Sequence, residues 1–115
     1  MKIAEWLIEN GGQKPFITCM EECDELSKDV SKCMRYLDDR PNDFAIPEDK
    51  REAYREYYDQ LHLDLVEEIA DVILCIALLR RKYNVHVFDI LQMIGYKINR
   101  LKEQIENDTY GLPSV

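Results

Sequence analysis

The 115-residue sequence contains no stretch that alternates apolar and polar residues as a strand does, no low-complexity tract and no linker rich in Pro or Gly. Helices are the only regular structure its periodicity supports. A long uncharged apolar run is also missing, which excludes a helix spanning a bilayer. The opening Met-Lys-Ile-Ala-Glu-Trp lacks the form of a signal peptide, and a cytoplasmic protein is expected. Positive charge is in deficit: 15 Lys and Arg against 23 Asp and Glu leave a net charge of −8. That balance argues against a nucleic-acid backbone or an anionic membrane as partner. A small polyanion remains possible where metal ions locally reverse the sign.

Histidine is scarce, with only His62 and His86, and neither follows an acidic pair at the spacing a di-iron carboxylate bundle needs. The nearest approach is Asp59-x-x-His62, and His62 projects about 120° away from Glu68 around a helix. Cys19, Cys23, Cys33 and Cys75 form no Cys-x-x-Cys pair. The first three fall on the apolar stripe of one predicted helix, so buried free thiols are expected rather than a zinc site or disulfides.

At 46% apolar and 33% charged residues, the composition is that of one soluble domain with its own core over 1–115. Ile3, Trp6 and Leu7 predict a short amphipathic helix over 3–9, ended by Gly11-Gly12. Pro15 suits a helix start, and Cys19, Cys23, Leu26, Val30, Cys33 and Leu37 keep one face apolar from there to Leu37. Residues 38–43 have turn composition, Phe44-Ala45-Ile46 is expected to tuck against the body, and Pro47 opens the next helix. That helix either breaks near Gln60 or runs on to Tyr83, where Asn84 can end it in a left-handed conformation. The last helix, about 87–106, is expected to bury Phe88, Leu91, Ile94, Ile98, Leu101 and Ile105. The tail over 107–115 is expected to be loose. The fold class expected is all-α, an antiparallel four-helix-type bundle. Between Ile69 and Leu79 apolar side chains point every way but that of Asp71, which predicts completion by homo-oligomerisation, as a homo-dimer or homo-tetramer.

The chemistry lies at the start of that apolar segment. Glu68 and Asp71 are about 60° apart on a helix, so both can reach one point. The earlier Glu21-Glu22-x-x-Glu25-Leu26 repeats Glu67-Glu68-x-x-Asp71-Val72 position for position. Either half alone reads most simply as a solvated charged edge. The duplication in matching phase beside two apolar stripes shifts the reading toward one cavity lined by four carboxylates. Such a cluster repels itself unless cations sit between its members. Ligation by carboxylates alone selects a hard ion, Mg²⁺ or Mn²⁺.

Glu21-Glu22-x-x-Glu25 followed by Glu68-x-x-Asp71-Val72 resembles the paired motif of the MazG-like all-α nucleoside triphosphate pyrophosphohydrolases. Trp6 and Gly12 upstream and the passage from Asn84 to Lys97 are similar too. The resemblance implies a Mg²⁺-dependent hydrolase that splits a (deoxy)nucleoside triphosphate into monophosphate and pyrophosphate, with metal ligands at Glu22, Glu25, Glu68 and Asp71. Glu21, Glu22 or Glu25 would take the proton from the attacking water. Lys97, Asn99 and Arg100 would contact phosphates, at tighter spacing than the family's, and Trp6, Tyr54, Tyr57 and Tyr58 are candidates to stack on the base. The interval between the motifs is longer than the family's usual one, filled by the 38–60 segment. The alternative reading is a non-catalytic helical oligomer that binds a nucleotide or a protein partner.

Overall fold

The structure is a computed structural model and describes residues 2–113. It is all-helical, with no strand among the described residues. The backbone separates into two compact units, Met1–Lys82 and Tyr83–Val115.

In the first unit, α1 spans Ile3–Asn10 and α2 spans Lys14–Cys33. The corner between them needs glycine twice. A Cβ on Gly11 would lie 2.6 Å from the Leu7 carbonyl oxygen and 2.7 Å from Pro15 Cγ, while Gly12 has φ +59°. Pro15 sits in the first turn of α2, where its missing N–H costs nothing. The expected apolar stripe reaches Leu37 because Met34–Asp38 continues α2 as a π-helical turn.

Two 3-10 turns, Asp43–Ala45 and Glu48–Lys50, lead into α3, which spans Arg51–Tyr83. It runs through Gln60 without a break, and Gln60 Nε2 donates to Asp64 Oδ1 at 2.8 Å on its surface. With no Gly or Pro between Pro47 and Tyr83, nothing in the chain stops it. Of the Phe44-Ala45-Ile46 segment only Ile46 tucks in, and Phe44 is 86% exposed. The Asn42 side chain accepts from the Phe44 N–H at 3.1 Å and fixes a turn that throws the ring outward.

Helices α2 and α3 are antiparallel. Cys19 meets Cys75, Glu22 meets Asp71, and the Tyr36 ring lies 5.8 Å from that of Tyr57, so each step up α2 is matched by a step down α3. An ion pair of 3.3 Å between Glu5 and Arg81 ties α1 to the end of α3. The core consists of Cys19, Ile46, Tyr58, Leu61 and Leu78.

In the second unit, Asn84 has φ 53° and ends α3 as expected, and α4 spans Val87–Glu106. Its end closes with a Schellman pattern: Asp108 at φ 57°, its N–H on the Ile105 carbonyl at 3.2 Å, and the Thr109 N–H on the Gln104 carbonyl at 2.8 Å. The first residues of the tail are therefore hydrogen-bonded back onto the helix, while residues 114 and 115 lie outside the described residues.

Two burial expectations are corrected, those for α4 and for the α2 thiols. Phe88, Leu91, Ile94, Ile98, Leu101 and Ile105 are all exposed. On α3, only Leu78 of the Ile69 to Leu79 run is buried within the chain, and Ile69, Ile73, Leu74, Ile76 and Leu79 are exposed. Of the α2 thiols Cys19 is buried, Cys33 half-buried and Cys23 exposed. Periodicity marks the apolar side of a helix, but a single chain supplies cover for only part of that side.

Candidate functional site

The three helices of the first unit enclose a cleft of about 880 Å³. Ile3, Trp6 and Leu7 of α1 form one wall, Thr18 and Cys19 of α2 another, and Leu74, Cys75 and Leu78 of α3 the third. The volume is in the range of small-molecule sites. Trp6, 53% exposed, stands at its edge with ring surface available for stacking. The walls are largely apolar, and two of their polar side chains are engaged by their own helices. Asn10 Nδ2 donates to the Trp6 carbonyl at 3.0 Å, and Thr18 Oγ1 donates to the Lys14 carbonyl at 3.0 Å.

Glu22 and Asp71 also line the cleft, and with them the expected acidic half-sites meet. One carboxylate oxygen from each of Glu22, Glu68 and Asp71 lies within 4.8 Å of the other two. The antiparallel register accounts for this, because Glu22 comes level with Asp71, and Glu68 follows one turn along on the same face. Among the described residues, no basic side chain is paired with any of the three, and salt bridges form instead at Glu5, Glu25 and Asp43.

The electrostatics register that lack. Glu68 Oε2 has essentially no exposed surface and no hydrogen-bond partner. The Glu68 carboxyl is pushed up from an ordinary 4.5 to about 7. The largest cause is Glu22, with which it can share a hydrogen bond only while one of the two is protonated. Loss of hydration comes next, followed by the charges of Glu22, Asp71 and Asp29. An orphaned buried oxygen among three converging acids is a donor set suited to a hard cation, so the residues present fit the Mg²⁺ or Mn²⁺ expected from the sequence.

The other expected site residues are placed as follows. Glu25 is exposed, and its Oε1 lies 3.1 Å from Lys28 Nζ, outside the converging group. Glu21 is exposed on α2, and Lys97, Asn99 and Arg100 are exposed on α4, in the second unit. Tyr54, Tyr57 and Tyr58 do not line the cleft. Tyr57 meets Tyr36 edge-on, Tyr58 is buried with the Arg40 guanidinium 4.4 Å from its ring centre, and the tyrosines pack on one another. Tyr57 lies about 21 Å down α3 from Asp71, at 1.5 Å per residue.

Two participants, Asp29 and Lys14, were not singled out from the sequence, and a third, Cys75, was read there only as a free thiol. Asp29 is only 9% exposed, with no hydrogen bond or ion pair among the described residues, and its charge acts on Glu68. Its signal was its place seven residues after Glu22, on the same face of α2. Lys14 borders the cleft, one residue before the proline that starts α2. The Cys75 thiol is pushed up to about 12, first by burial and then by its hydrogen bond with Cys19.

No family model matches this chain, and no curated protein or solved structure does either.

Proposed function

We propose that the protein is a Mg²⁺-dependent nucleoside triphosphate pyrophosphohydrolase that converts a (deoxy)nucleoside triphosphate and water to the monophosphate and pyrophosphate. One observation carries the reading: the Glu22, Glu68 and Asp71 oxygens lie within 4.8 Å of one another, and two of those residues border a nucleotide-sized apolar cleft edged by Trp6. The sequence resemblance supports it independently. Apolar walls suit a base and sugar, and an acidic border suits a cation-loaded polyphosphate.

Glu22, Glu68 and Asp71 would hold the cation, and Glu25 joins them by rotating away from Lys28, since an exposed pair of this kind is worth only about 0.3–0.5 kcal/mol. When bound, Mg²⁺ withdraws charge from the phosphate oxygens and makes a water easier to deprotonate. Proton acceptance falls to α2, where Glu22 is at the cluster and Glu21 and Glu25 are its neighbours. The water attacks the α-phosphorus in line, and the bond to the bridging oxygen of the β-phosphate breaks. Trp6 stacks on the base. Lys14 at the cleft balances the outer phosphates. With few side-chain donors free in the cleft, the base is held by its faces more than by its edges, which predicts tolerance among bases.

The protein acts as a homo-oligomer in this reading. Val87, Leu91, Ile94, Ile98, Leu101 and Ile105 recur at alternating spacings of four and three, a seam made for another helix, and all six are exposed. The exposed isoleucines and leucines of α3 add a second apolar surface.

The test is a panel of standard and modified nucleoside triphosphates assayed for pyrophosphate release with Mg²⁺ and with EDTA. Release from at least one member, abolished by EDTA, is expected. Absence of pyrophosphate from every member, with Mg²⁺ or Mn²⁺ present, sinks the proposal and leaves a helical binding protein.

A further inference from the structure

Helix α1 supplies one wall of the cleft, yet none of its residues is buried. Ile3 and Trp6, both on that wall, are 67% and 53% exposed. An isolated helix of eight residues does not persist in water, so α1 stays helical by leaning on its neighbours. Ala4, Leu7 and Ile8 do the leaning, and each is only half-buried.

The two ends of α1 are held differently. At the corner, Gly11 packs too closely on the Leu7 carbonyl and on Pro15 to admit a Cβ, which pins that end to α2. Gly12 follows at φ +59°, with nothing within 4 Å of where its Cβ would stand, and gives the corner room to flex. The far end is caught from α3, where Arg81 Nη1 donates to Glu5 Oε1 at 3.3 Å across 76 positions of sequence. Lys2 Nζ, 3.9 Å from the same oxygen, adjoins α1 itself and ties nothing across the cleft.

Glu5 precedes Trp6 and lies about 100° from it around the helix, so fixing one side chain fixes the direction of the other. Arg81 stands one turn beyond Leu78, which belongs to the facing wall. The ion pair thus sets both the rotation of α1 and its separation from α3. With both partners exposed, a pair of this kind shifts a two-state balance about two- to five-fold, which biases a wall without locking it. A wall past which a ligand must enter needs a bias of that size.

We propose that α1 is a hinged wall of the cleft, pivoting at Gly11-Gly12 and latched by Glu5 and Arg81, which act as positioning residues for Trp6. The nucleotide it closes on rests on the reading above, whereas the latch stands on this geometry alone.

Trp6 is the single tryptophan of the chain, so its fluorescence reports on α1 and on nothing else. The test is acrylamide quenching of the full chain at low salt. Arg81→Gln is expected to raise the undocked population about two- to five-fold, seen as stronger quenching and a red-shifted emission. The exchanged pair, Glu5→Arg with Arg81→Glu, is expected to restore both. In 1 M salt the wild-type chain should quench as Arg81→Gln does, an arm that needs no variant to fold. Equal quenching of wild type and Arg81→Gln at low salt overturns the latch, as does an exchanged pair that fails to restore it. With any triphosphate that releases pyrophosphate, Arg81→Gln should raise KM about two- to five-fold and leave kcat unchanged, and a fall in kcat at constant KM overturns the positioning role. If no triphosphate is hydrolysed, the nucleotide reading falls and the quenching alone decides the latch.

Discussion

The pairing of α2 with α3 carries two clusters about 21 Å apart that solve opposite problems. At the tyrosine end every group has a counterpart. Tyr36, Tyr54, Tyr57 and Tyr58 pack on one another, and Arg40 covers Tyr58. Asp43 lies 3.7 Å from Arg40 and 3.5 Å from Arg55, and Arg51 Nε donates to the Ile46 carbonyl at 3.1 Å. At the acidic end, Glu22, Glu68 and Asp71 converge with no basic partner among the described residues, and Glu68 Oε2 is orphaned. One end holds the helices together, and the other is held together by them. A cluster that works against the fold and is still built is the place to look for chemistry.

The comparison breaks if the two ends respond alike to substitution. Glu68→Gln removes a ligand that Glu22 and Asp71 cannot replace. A loss of several kcal/mol of transition-state stabilisation, about 1000-fold in turnover, is expected in a pyrophosphate-release assay. The same variant should melt higher than wild type in EDTA, since the repulsion it relieves is present only in the ion-free protein. Tyr58→Ala should behave in the reverse sense. It empties a buried aromatic site and loses the Arg40 contact, at about 3–5 kcal/mol in urea unfolding, while turnover per folded chain stays near wild type. If Tyr58→Ala lost turnover per folded chain to the extent Glu68→Gln does, the division between a structural and a chemical end would be wrong.

What could be read from the sequence follows the same division. The ends of the helices were legible where a local signal sets them: Gly11-Gly12, Pro15 and Asn84 act within a few residues of themselves. The meeting of Glu22, Glu68 and Asp71 was legible because phase relative to an apolar stripe is also a local property, copied twice. Glu25 shares that phase yet turns to Lys28, a competitor three residues away on its own helix. Asp29 was not legible because the echo between the two motifs ends before it, whereas burial depends on the facing helix. The exposed face of α4 shows the limit most plainly. The spacing of Leu91, Ile94, Ile98 and Leu101 identifies the side that is apolar, and what covers it is information held by another surface. The thiols of α2 repeat the lesson, Cys19 and Cys23 being one turn apart with opposite exposure.

A sharper form of the comparison uses pH. Glu68 titrates at about 7 in the folded chain against an ordinary 4.5, so the folded protein keeps a proton that the unfolded chain has given up. The stabilising effect of that proton is fully present below about 4.5 and is lost as pH rises toward 7. In EDTA, the melting temperature should therefore carry a downward contribution between pH 4.5 and 7, absent in Glu68→Gln. With saturating Mg²⁺ the trend should weaken or reverse, because the cation binds the deprotonated acid and its affinity rises over the same interval. A melting temperature in EDTA with the same slope in wild type and Glu68→Gln would remove the shared proton from the picture.

The smallest effect lies in the thiols beside the cluster. The Cys75 thiol, held up at about 12 by burial and by Cys19, stays protonated at pH 8, and a protonated thiol is a poor nucleophile. Cys23 is exposed on the neighbouring turn of α2. A disulfide reagent at pH 8 should label Cys23 first and reach Cys75 only as the chain opens, so that the slow phase tracks unfolding. Binding of Mg²⁺ between α2 and α3 should slow that phase further and leave the Cys23 rate as it was, since the ion ties together the two helices that must part. A slow phase indifferent to Mg²⁺ would mean that the acids do not join the helices through a cation, and the contrast between the two ends would rest on packing alone.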